Sequence, residues 1–296
     1  MKEQNIMRVS RLLSLLTLAA IPCVLHGQPK ISGRTPVREK RGYNQQTVID
    51  TANIRVLYAL NAKDIKQDST YVDLGKLEVG RKVRKYSSEF LDISDEEIKK
   101  WKVRENYSDN AYVPMTFFMG GRQDIMDNWC ELIFSDYFVR GNELTEYACF
   151  PGYAERENGR YTEPWPLMKW TLKDEHLTIL GHDCQKATCH FRGRDFVAWF
   201  AADVPINGGP WKFGGLPGCI LKVYDVQKLY VWEAVAIERG TYPIMQYSDK
   251  LYPPSTRKSV WQRQRKYTED YWNAIGIVFL NRPQPKKIPF EQLEKE

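Results

Sequence analysis

The sequence contains few histidines and lacks the common catalytic and nucleotide-binding motifs. Only four of its 296 residues are histidine, and it has no G-x-S-x-G turn of the kind found in serine hydrolases. The glycine-rich stretch 208–218, GGPWKFGGLPG, has the glycine spacing of a phosphate loop, but Gly215 stands where that loop requires lysine. The stretch also leads into a predicted strand, whereas a bound pyrophosphate needs the amino end of a helix. These absences argue against a nucleotide-binding protein and against a serine hydrolase.

The chain also lacks a strong excess of charge of one sign and, beyond its first residues, any long apolar run. It has 43 basic and 37 acidic residues, a net charge of +6. A balance of this kind does not favour nucleic acid or anionic lipid as a partner. No stretch after residue 27 approaches the roughly twenty apolar residues of a membrane helix, so we expect no membrane-spanning segment.

Residues 1–27 have the pattern of a secretory signal peptide. Basic residues precede a mostly apolar stretch from Leu12 to Leu25, which is too short for a comfortable bilayer span. We therefore expect cleavage before Gln28 and an exported protein, located in the periplasm or associated with the outer membrane. Residues 28–46 are basic and almost free of large apolar side chains, which predicts a flexible leader.

From residue 47 onward, apolar residues recur mostly at every second position, which is the period of β-strands. A turn signal at Gly141-Asn142 predicts a hairpin. Runs of alternating residues from Trp170 to about residue 238 predict an antiparallel meander. We therefore expect a mainly β (α+β) fold in a single domain over residues 47–296, with a curved antiparallel sheet or half-open barrel like that of periplasmic lipoprotein carriers.

Two helices are predicted. The sequence SDEE predicts a short helix that begins at Ser94, and an apolar stripe predicts a longer helix over Ser255–Ala274, packed on the sheet. Arg257 and Lys258 lie at the amino end of the longer helix, where the helix dipole disfavours cations. We therefore expect these two side chains to have partners elsewhere.

The best candidates for metal or thiol chemistry lie in the sequence HDCQKATCH, residues 182–190. On a strand, side chains alternate between the two faces, so His182, Cys184 and His190, which all have even numbers, share one face. These residue types bind zinc or copper. Cys219 follows a sharp turn and is the thiol with a nucleophile-like setting. The alternative is a half-exposed strand with one cysteine in a disulfide, and Cys219 at the start of a core strand. Five cysteines follow residue 27, and their spacing does not determine how they pair.

Several spaced elements in the second half of the chain occur in a recognisable order: GHDCQKA from Gly181, FRGR from Phe191, AWF from Ala198, PINGGP from Pro205 and KFGGLPG from Lys212. In this order they resemble the GLPGLI family of the Bacteroidetes, over about Trp170 to Ile237. The motif positions are Arg192, Gly193, Arg194, Gly215, Leu216, Pro217, Gly218 and Ile220. Cys219 stands where the family has leucine, which favours a buried apolar role. The last residues, IPFEQLEKE, also resemble the usual tail of the family. The resemblance implies an exported envelope protein of unestablished molecular activity, with no catalytic residues to carry over.

Two functional hypotheses follow. The first is a non-enzymatic binding or assembly module, without a cofactor, for a hydrophobic ligand, a peptide or an envelope partner. Its candidate contact residues are Trp199, Trp211, Lys212, Phe213 and Trp232, because aromatic side chains give large contact areas. We expect the connection between the two glycine-rich bends to present Trp211, Lys212 and Phe213 as a contact surface. The alternative for each aromatic residue is a place in the core. The second is a metal-binding or thiol-dependent envelope enzyme, or a metal carrier, that uses His182, Cys184 and His190. An apolar cavity beside residues 210–218 would favour the first.

Overall fold

The computed structural model of the chain describes residues 46–108, 135–150, 152–274, 276, 278, 280 and 292–295. The predicted signal peptide lies outside the described residues, as does the predicted leader except for Gln46.

In the described ranges, eleven antiparallel strands form one sheet. In chain order they are β1 Gln46–Leu60, β2 Asp73–Gly80, β3 Arg84–Ser88, β4 Ser135–Arg140, β5 Glu143–Ala148, β6 Gly159–Pro164, β7 Thr171–Ile179, β8 His182–Phe191, β9 Arg194–Ala201, β10 Cys219–Asp225 and β11 Val231–Tyr247. Their order across the sheet is β6-β5-β4-β3-β2-β1-β11-β10-β9-β8-β7. The predicted mainly β fold with a curved antiparallel sheet is confirmed, and the sheet is open, with β6 and β7 at its two edges.

The longest strands lie at the centre of the sheet. β1 has 15 residues and β11 has 17, and they pair from Gln46 opposite Tyr247 to Leu60 opposite Trp232. The register between them shifts at three places, including the step between Ala52 and Ile54. Extra residues of this kind bend a strand and increase its twist. The long central pair is therefore curved, and the shorter strands on each side follow it.

The predicted hairpin is confirmed at the turn between β4 and β5. Gly141 has φ +56°, and β4 pairs with β5 from Arg140 opposite Glu143 to Ser135 opposite Ala148. Glycine adopts this left-handed conformation without a steric penalty. The tight turn therefore fixes the register of the two strands.

The first helix, α1, spans Glu89–Arg104 rather than beginning at the predicted Ser94. Its N-cap is Ser88, whose Oγ accepts a hydrogen bond from the Leu91 amide at 3.0 Å and donates one to Asp73 at 2.6 Å. The predicted start is wrong because Ser88, the last residue of β3, already caps the helix.

The predicted C-terminal helix is confirmed in its central part. It forms α2, Arg257–Glu269, and a single further turn, α3, Tyr271–Ala274, separated by Asp270. Val260 and Tyr267 are buried, as their helical spacing predicts. The Arg257 side chain lies 2.6 Å from the Glu294 carboxylate, which confirms that this cation has a distant partner. None of the helices in the described ranges is both long and apolar enough to cross a lipid bilayer.

The glycine-rich stretch is part of the connection between β9 and β10, and two of its glycines are close to other parts of the chain. Gly214 faces the Trp165 ring so closely that a Cβ atom there would lie 2.1 Å from Cζ2 of the ring. At Gly218, a Cβ atom would lie 2.2 Å from the carbonyl oxygen of Ala201. The glycines thus allow the connection to pack against buried groups. At Gly208 the nearest atom to such a Cβ is 3.7 Å away, which is ordinary contact.

We expect Gly214→Ala to lower the free energy of unfolding by about 2 kcal/mol, because the new methyl group overlaps a buried tryptophan ring. Gly208→Ala is the matched control, and it should change the free energy by about 0.5 kcal/mol or less. Urea unfolding followed by tryptophan fluorescence measures both. Equal effects of the two substitutions would contradict the close packing at Gly214.

Candidate functional site

The connection between β9 and β10 turns its large side chains inward. Trp211, Lys212 and Phe213 have only 4%, 2% and 2% of their surface exposed, and Trp232 on β11 is fully buried. The expectation that the connection presents these side chains on the surface is therefore wrong. It failed because the two bends of the glycine-rich stretch fold it back onto the sheet.

The buried aromatic side chains of the connection form one cluster with β11. The rings of Trp211 and Trp232 are stacked, with centroids 6.4 Å apart, and Phe213 meets both rings edge to face. Trp199 lies apart from this cluster. On neighbouring strands, Trp232 lies opposite Val223, and Val223 lies opposite Ala198. Trp199 follows Ala198 on β9, so its side chain faces the other side of the sheet. The five predicted contact residues therefore do not form one surface.

Two small cavities border the connection. One, of about 10 Å³, is lined by Trp165, Gly208, Gly209 and Phe213, among others, and another, of about 20 Å³, lies beside Lys212. These volumes give the space open to the centre of a water molecule, and one water needs roughly 10–15 Å³. Neither cavity has room for a hydrophobic ligand, which typically needs a pocket of roughly 300 Å³ or more.

His182 and His190 lie at opposite ends of β8 and do not approach each other. Eight residues of extended strand separate them, or roughly 26 Å. His182 Nδ1 lies 2.7 Å from Asp203, and His190 Nδ1 lies 2.7 Å from Asp195. Within the described ranges, no three metal-ligating side chains come together. The predicted metal site at His182, Cys184 and His190 is therefore contradicted by the structure.

The four described cysteines are buried, and no disulfide joins any two of them. Burial raises the pKa of Cys184 to about 11 and that of Cys189 to about 12. Burial also raises the pKa of Cys219 to about 12, although the hydrogen bond between Cys219 and Tyr58 acts in the opposite direction. A thiol of this kind is a poor nucleophile because little of it is thiolate at neutral pH. The nucleophile-like setting suggested for Cys219 is therefore wrong.

We expect the thiols of the folded protein to react slowly. In the chain from Gln28 with Cys130→Ser, the four remaining cysteines are Cys149, Cys184, Cys189 and Cys219. An Ellman assay at pH 8 should show no fast-reacting thiol in the native protein, and four in 6 M guanidinium chloride, because unfolding removes burial. A reaction of Cys184, Cys189 or Cys219 within seconds in the native protein, identified by mass spectrometry, would contradict their raised pKa values.

A group of buried and partly buried charges surrounds Lys212. We name the Lys212 cluster by its six members, which are Lys212, Arg192, Arg257, Glu146, Glu163 and Glu294. The Lys212 ammonium lies 2.6 Å from Glu294, 3.2 Å from Glu146 and 3.5 Å from Glu163. It also donates a hydrogen bond to the Tyr161 hydroxyl at 2.7 Å. The two arginines complete the group, since Arg192 lies 2.5 Å from Glu163 and Arg257 lies 2.6 Å from Glu294. The three cations and three carboxylates thus give the cluster no net charge.

The Lys212 cluster draws on distant parts of the chain. Glu146 is on β5 and Glu163 on β6, whereas Arg192 is in the turn between β8 and β9. Glu294 belongs to residues 292–295, which we call the C-terminal segment. Sequence reasoning identified Lys212 and Arg192 through the motif and missed the three glutamates. The available signal was a lysine placed between Trp211 and Phe213, because a buried lysine requires carboxylate partners.

The electrostatics of the Lys212 cluster favour the charged states of Lys212 and Glu294. Burial lowers the pKa of Lys212, but Glu294, Glu146 and Glu163 outweigh this effect, so its pKa lies well above the ordinary value. Burial raises the pKa of Glu294, but Lys212 and Arg192 outweigh it and lower the pKa to about 2. Lys212 is therefore a fixed cation at neutral pH and not a nucleophile or a base.

Glu294 should stabilise the fold in a pH-dependent way. Its pKa falls from 4.5 to about 2 on folding, so its stabilising effect is complete above pH 4.5 and disappears as the pH falls through about 2. We expect Glu294→Gln to lower the free energy of unfolding by about 3 kcal/mol at pH 7. The loss should shrink between pH 5 and pH 2, as measured by urea unfolding.

Glu175→Gln is the control for this change. Glu175 forms an ion pair with Lys186 at 2.7 Å, but its side chain is 62% exposed. Exposed pairs contribute little, so we expect a loss below about 1 kcal/mol. Equal losses for the two variants, or a loss at Glu294 that does not depend on pH, would contradict the assigned role.

The chain is thus a mainly β protein with one open antiparallel sheet and a buried ionic cluster. Residues 192–222 match a family model described as "Protein of unknown function (Porph_ging)". The match indicates a family of Bacteroidetes type with no known function, and it includes Arg192, Arg194 and Lys212. No curated protein matches the sequence.

The chain is similar to two solved structures, described as "Structure of PNGF-II in P21 space group" and "Structure of PNGF-II in C2 space group". They are 15% and 14% identical to the chain, with TM-scores of 0.43 and 0.42. Each alignment covers 73% of this chain, but only 34% and 33% of the PNGF-II chain. The chain therefore matches about a third of the length of these proteins.

Proposed function

We propose that the chain is an exported envelope protein of GLPGLI type, acting as a non-enzymatic binding module. Its edge strand β7 pairs with an extended peptide segment of an envelope partner. The exposure of β7 carries this proposal. The small cavities beside residues 210–218 favour a peptide over a hydrophobic small molecule, and the buried thiols and separated histidines do not favour the enzymatic alternative.

β7 is an edge strand that is exposed along most of its length. Eight of its nine residues are exposed, and among the described strands it pairs only with β8. An edge strand presents a row of backbone amides and carbonyls that another extended chain can pair with.

The hairpin between β7 and β8 determines which amides face outward. Its loop is the two residues Leu180 and Gly181, with φ +52° and +83°, so Ile179 lies opposite His182. In a hairpin with a two-residue loop, the flanking pair exchanges hydrogen bonds, and the pairs alternate from there. The amides of Thr178 and His176 therefore point away from β8, toward a partner.

The neighbouring residues limit where a partner can pair. The register between β7 and β8 shifts between Leu172 and His176, in a stretch that contains Lys173, Asp174 and Glu175. Charges and bulges at an edge oppose pairing with another chain. Leu177 lies opposite the fully buried Cys184 but is 40% exposed itself. A partner segment with an apolar side chain beside Leu177 would continue the buried surface across the edge.

The opposite edge of the sheet shows how the fold completes an edge strand. The amide of Arg160 on β6 donates to the Pro253 carbonyl at 3.1 Å, and the Ser255 amide donates to the Arg160 carbonyl at 2.7 Å. Extended chain between β11 and α2 thus covers β6. We propose that a partner protein provides the equivalent cover for β7.

Thr178→Pro tests the role of the outward-facing amide. Proline is tolerated at an edge where its nitrogen faces solvent, so the fold should remain, while one backbone donor is lost. Thr178→Ala keeps the donor and is the matched control. Peptides selected from a random twelve-residue library on the wild-type protein should bind Thr178→Pro at least tenfold more weakly, and Thr178→Ala unchanged, by fluorescence anisotropy. The expected tenfold loss corresponds to about 1.4 kcal/mol.

Hydrogen exchange identifies the binding position. The amides of His176 and Thr178 should become protected when a selected peptide is added. Equal binding to Thr178→Pro, or protection elsewhere, would contradict the proposal. Concentration-dependent dimerisation that Thr178→Pro abolishes would also contradict it, because β7 would then pair with a second copy of the chain.

A further inference from the structure

The C-terminal segment is held by its backbone in the way that a bound peptide is held. Arg194 donates from Nη2 to the carbonyl of Gln292 at 2.6 Å and from Nε to that of Leu293 at 2.9 Å. Trp261 Nε1 donates to the carbonyl of Glu294 at 2.8 Å. These donors bind the main chain of an extended segment and not its side chains.

Two side chains of the segment are also bound by the rest of the protein. Leu293 is 2% exposed and belongs to the main hydrophobic core. The Glu294 carboxylate accepts from Lys212 and Arg257 at 2.6 Å each and pairs with Arg192 at 2.8 Å. A leucine followed by a glutamate thus satisfies both an apolar site and a cationic site.

The charge balance of the Lys212 cluster depends on this one glutamate. Without Glu294, the three cations would face only Glu146 and Glu163, which leaves one positive charge without a counterion. A buried cation without its partner is strongly destabilising. The site is therefore built to hold one carboxylate at this position, whichever chain provides it.

We propose that the groove formed by Arg192, Arg194, Lys212, Arg257 and Trp261 is a binding site for a short acidic peptide that contains a Leu-Glu pair. We call it the tail groove. The chain's own C-terminal segment occupies it in cis, and an acidic segment of a partner protein competes for it. This site is separate from β7 and does not rest on the pairing proposed there.

A tethered occupant is a strong competitor because its effective concentration reaches the millimolar range. A free peptide with micromolar affinity therefore binds weakly to the intact chain. It binds well only when the tether is cut and the tail has left. This difference distinguishes a groove with a cis ligand from a surface to which acidic peptides adhere.

The experiment uses the full chain with a recognition site for a specific protease inserted between Lys287 and Ile288. A fluorescein-labelled peptide, IPFEQLEKE, reproduces residues 288–296 and is the probe. After cleavage and dialysis to remove the tail, the peptide should bind saturably at one site by fluorescence anisotropy. The uncleaved protein should bind it at least a hundredfold more weakly.

Variants of the peptide provide controls that do not affect the fold. Glutamine in place of Glu294 should weaken binding at least tenfold, because it removes the carboxylate of the Lys212 cluster. Glutamine in place of Glu291 removes the same charge from the same peptide, and the proposal requires a smaller loss of affinity than the change at Glu294 causes. Equal losses for the two peptides would overturn the proposal.

Two further outcomes would also overturn it. If 10 mM inorganic phosphate displaces the peptide completely, the groove is a general anion site and not a peptide site. If the cleaved protein loses its near-ultraviolet circular dichroism as the tail leaves, the segment is a structural clasp and not an exchangeable ligand.

Discussion

Lys212 is buried among the rings of Trp211, Tyr161 and Tyr137, each with its centroid 5–6 Å from the ammonium. An isolated cation in such a place would cost several kcal/mol, so the fold must bring carboxylates to it. It takes Glu146 from β5, Glu163 from β6 and Glu294 from the C-terminal segment. The need to neutralise one lysine thereby joins the connection after β9 to one edge of the sheet and to the last described residues of the chain.

The glycine-rich motif acts as a packing element in this arrangement. Gly214 and Gly218 let the connection approach Trp165 and Ala201, and this approach places Trp211 and Phe213 over the centre of the sheet. The Arg192–Arg194 turn and Lys212 then meet the C-terminal segment. The sequence FRGR and the glycine-rich stretch are separate along the chain. In the structure they therefore belong to one unit.

The strands and the fold class could be predicted from the sequence because alternation and turn residues are local signals. The position of Arg257 was also informative, since a cation at the amino end of a helix needs a partner. The sequence left open whether Trp211 and Phe213 are core or contact residues, because their burial depends on Trp165 and on glutamates elsewhere in the chain. The metal hypothesis failed for a different reason. The alternation of side chains places His182 and His190 on one face of a strand, but it does not bring them close together along the strand.

The neighbouring positions of β1 and β11 at the centre of the sheet have a consequence for how the chain folds. Arg55 and Glu238, which form an ion pair across these strands, are separated by 183 residues. Contacts of such long range slow folding, because a large loop must close before they form. During synthesis, β1 appears early and its partner β11 late. The newly made chain must therefore keep the β11-facing edge of β1 unpaired until most of the protein has been synthesised, and this exposed edge is a place where a chaperone can prevent pairing with another chain.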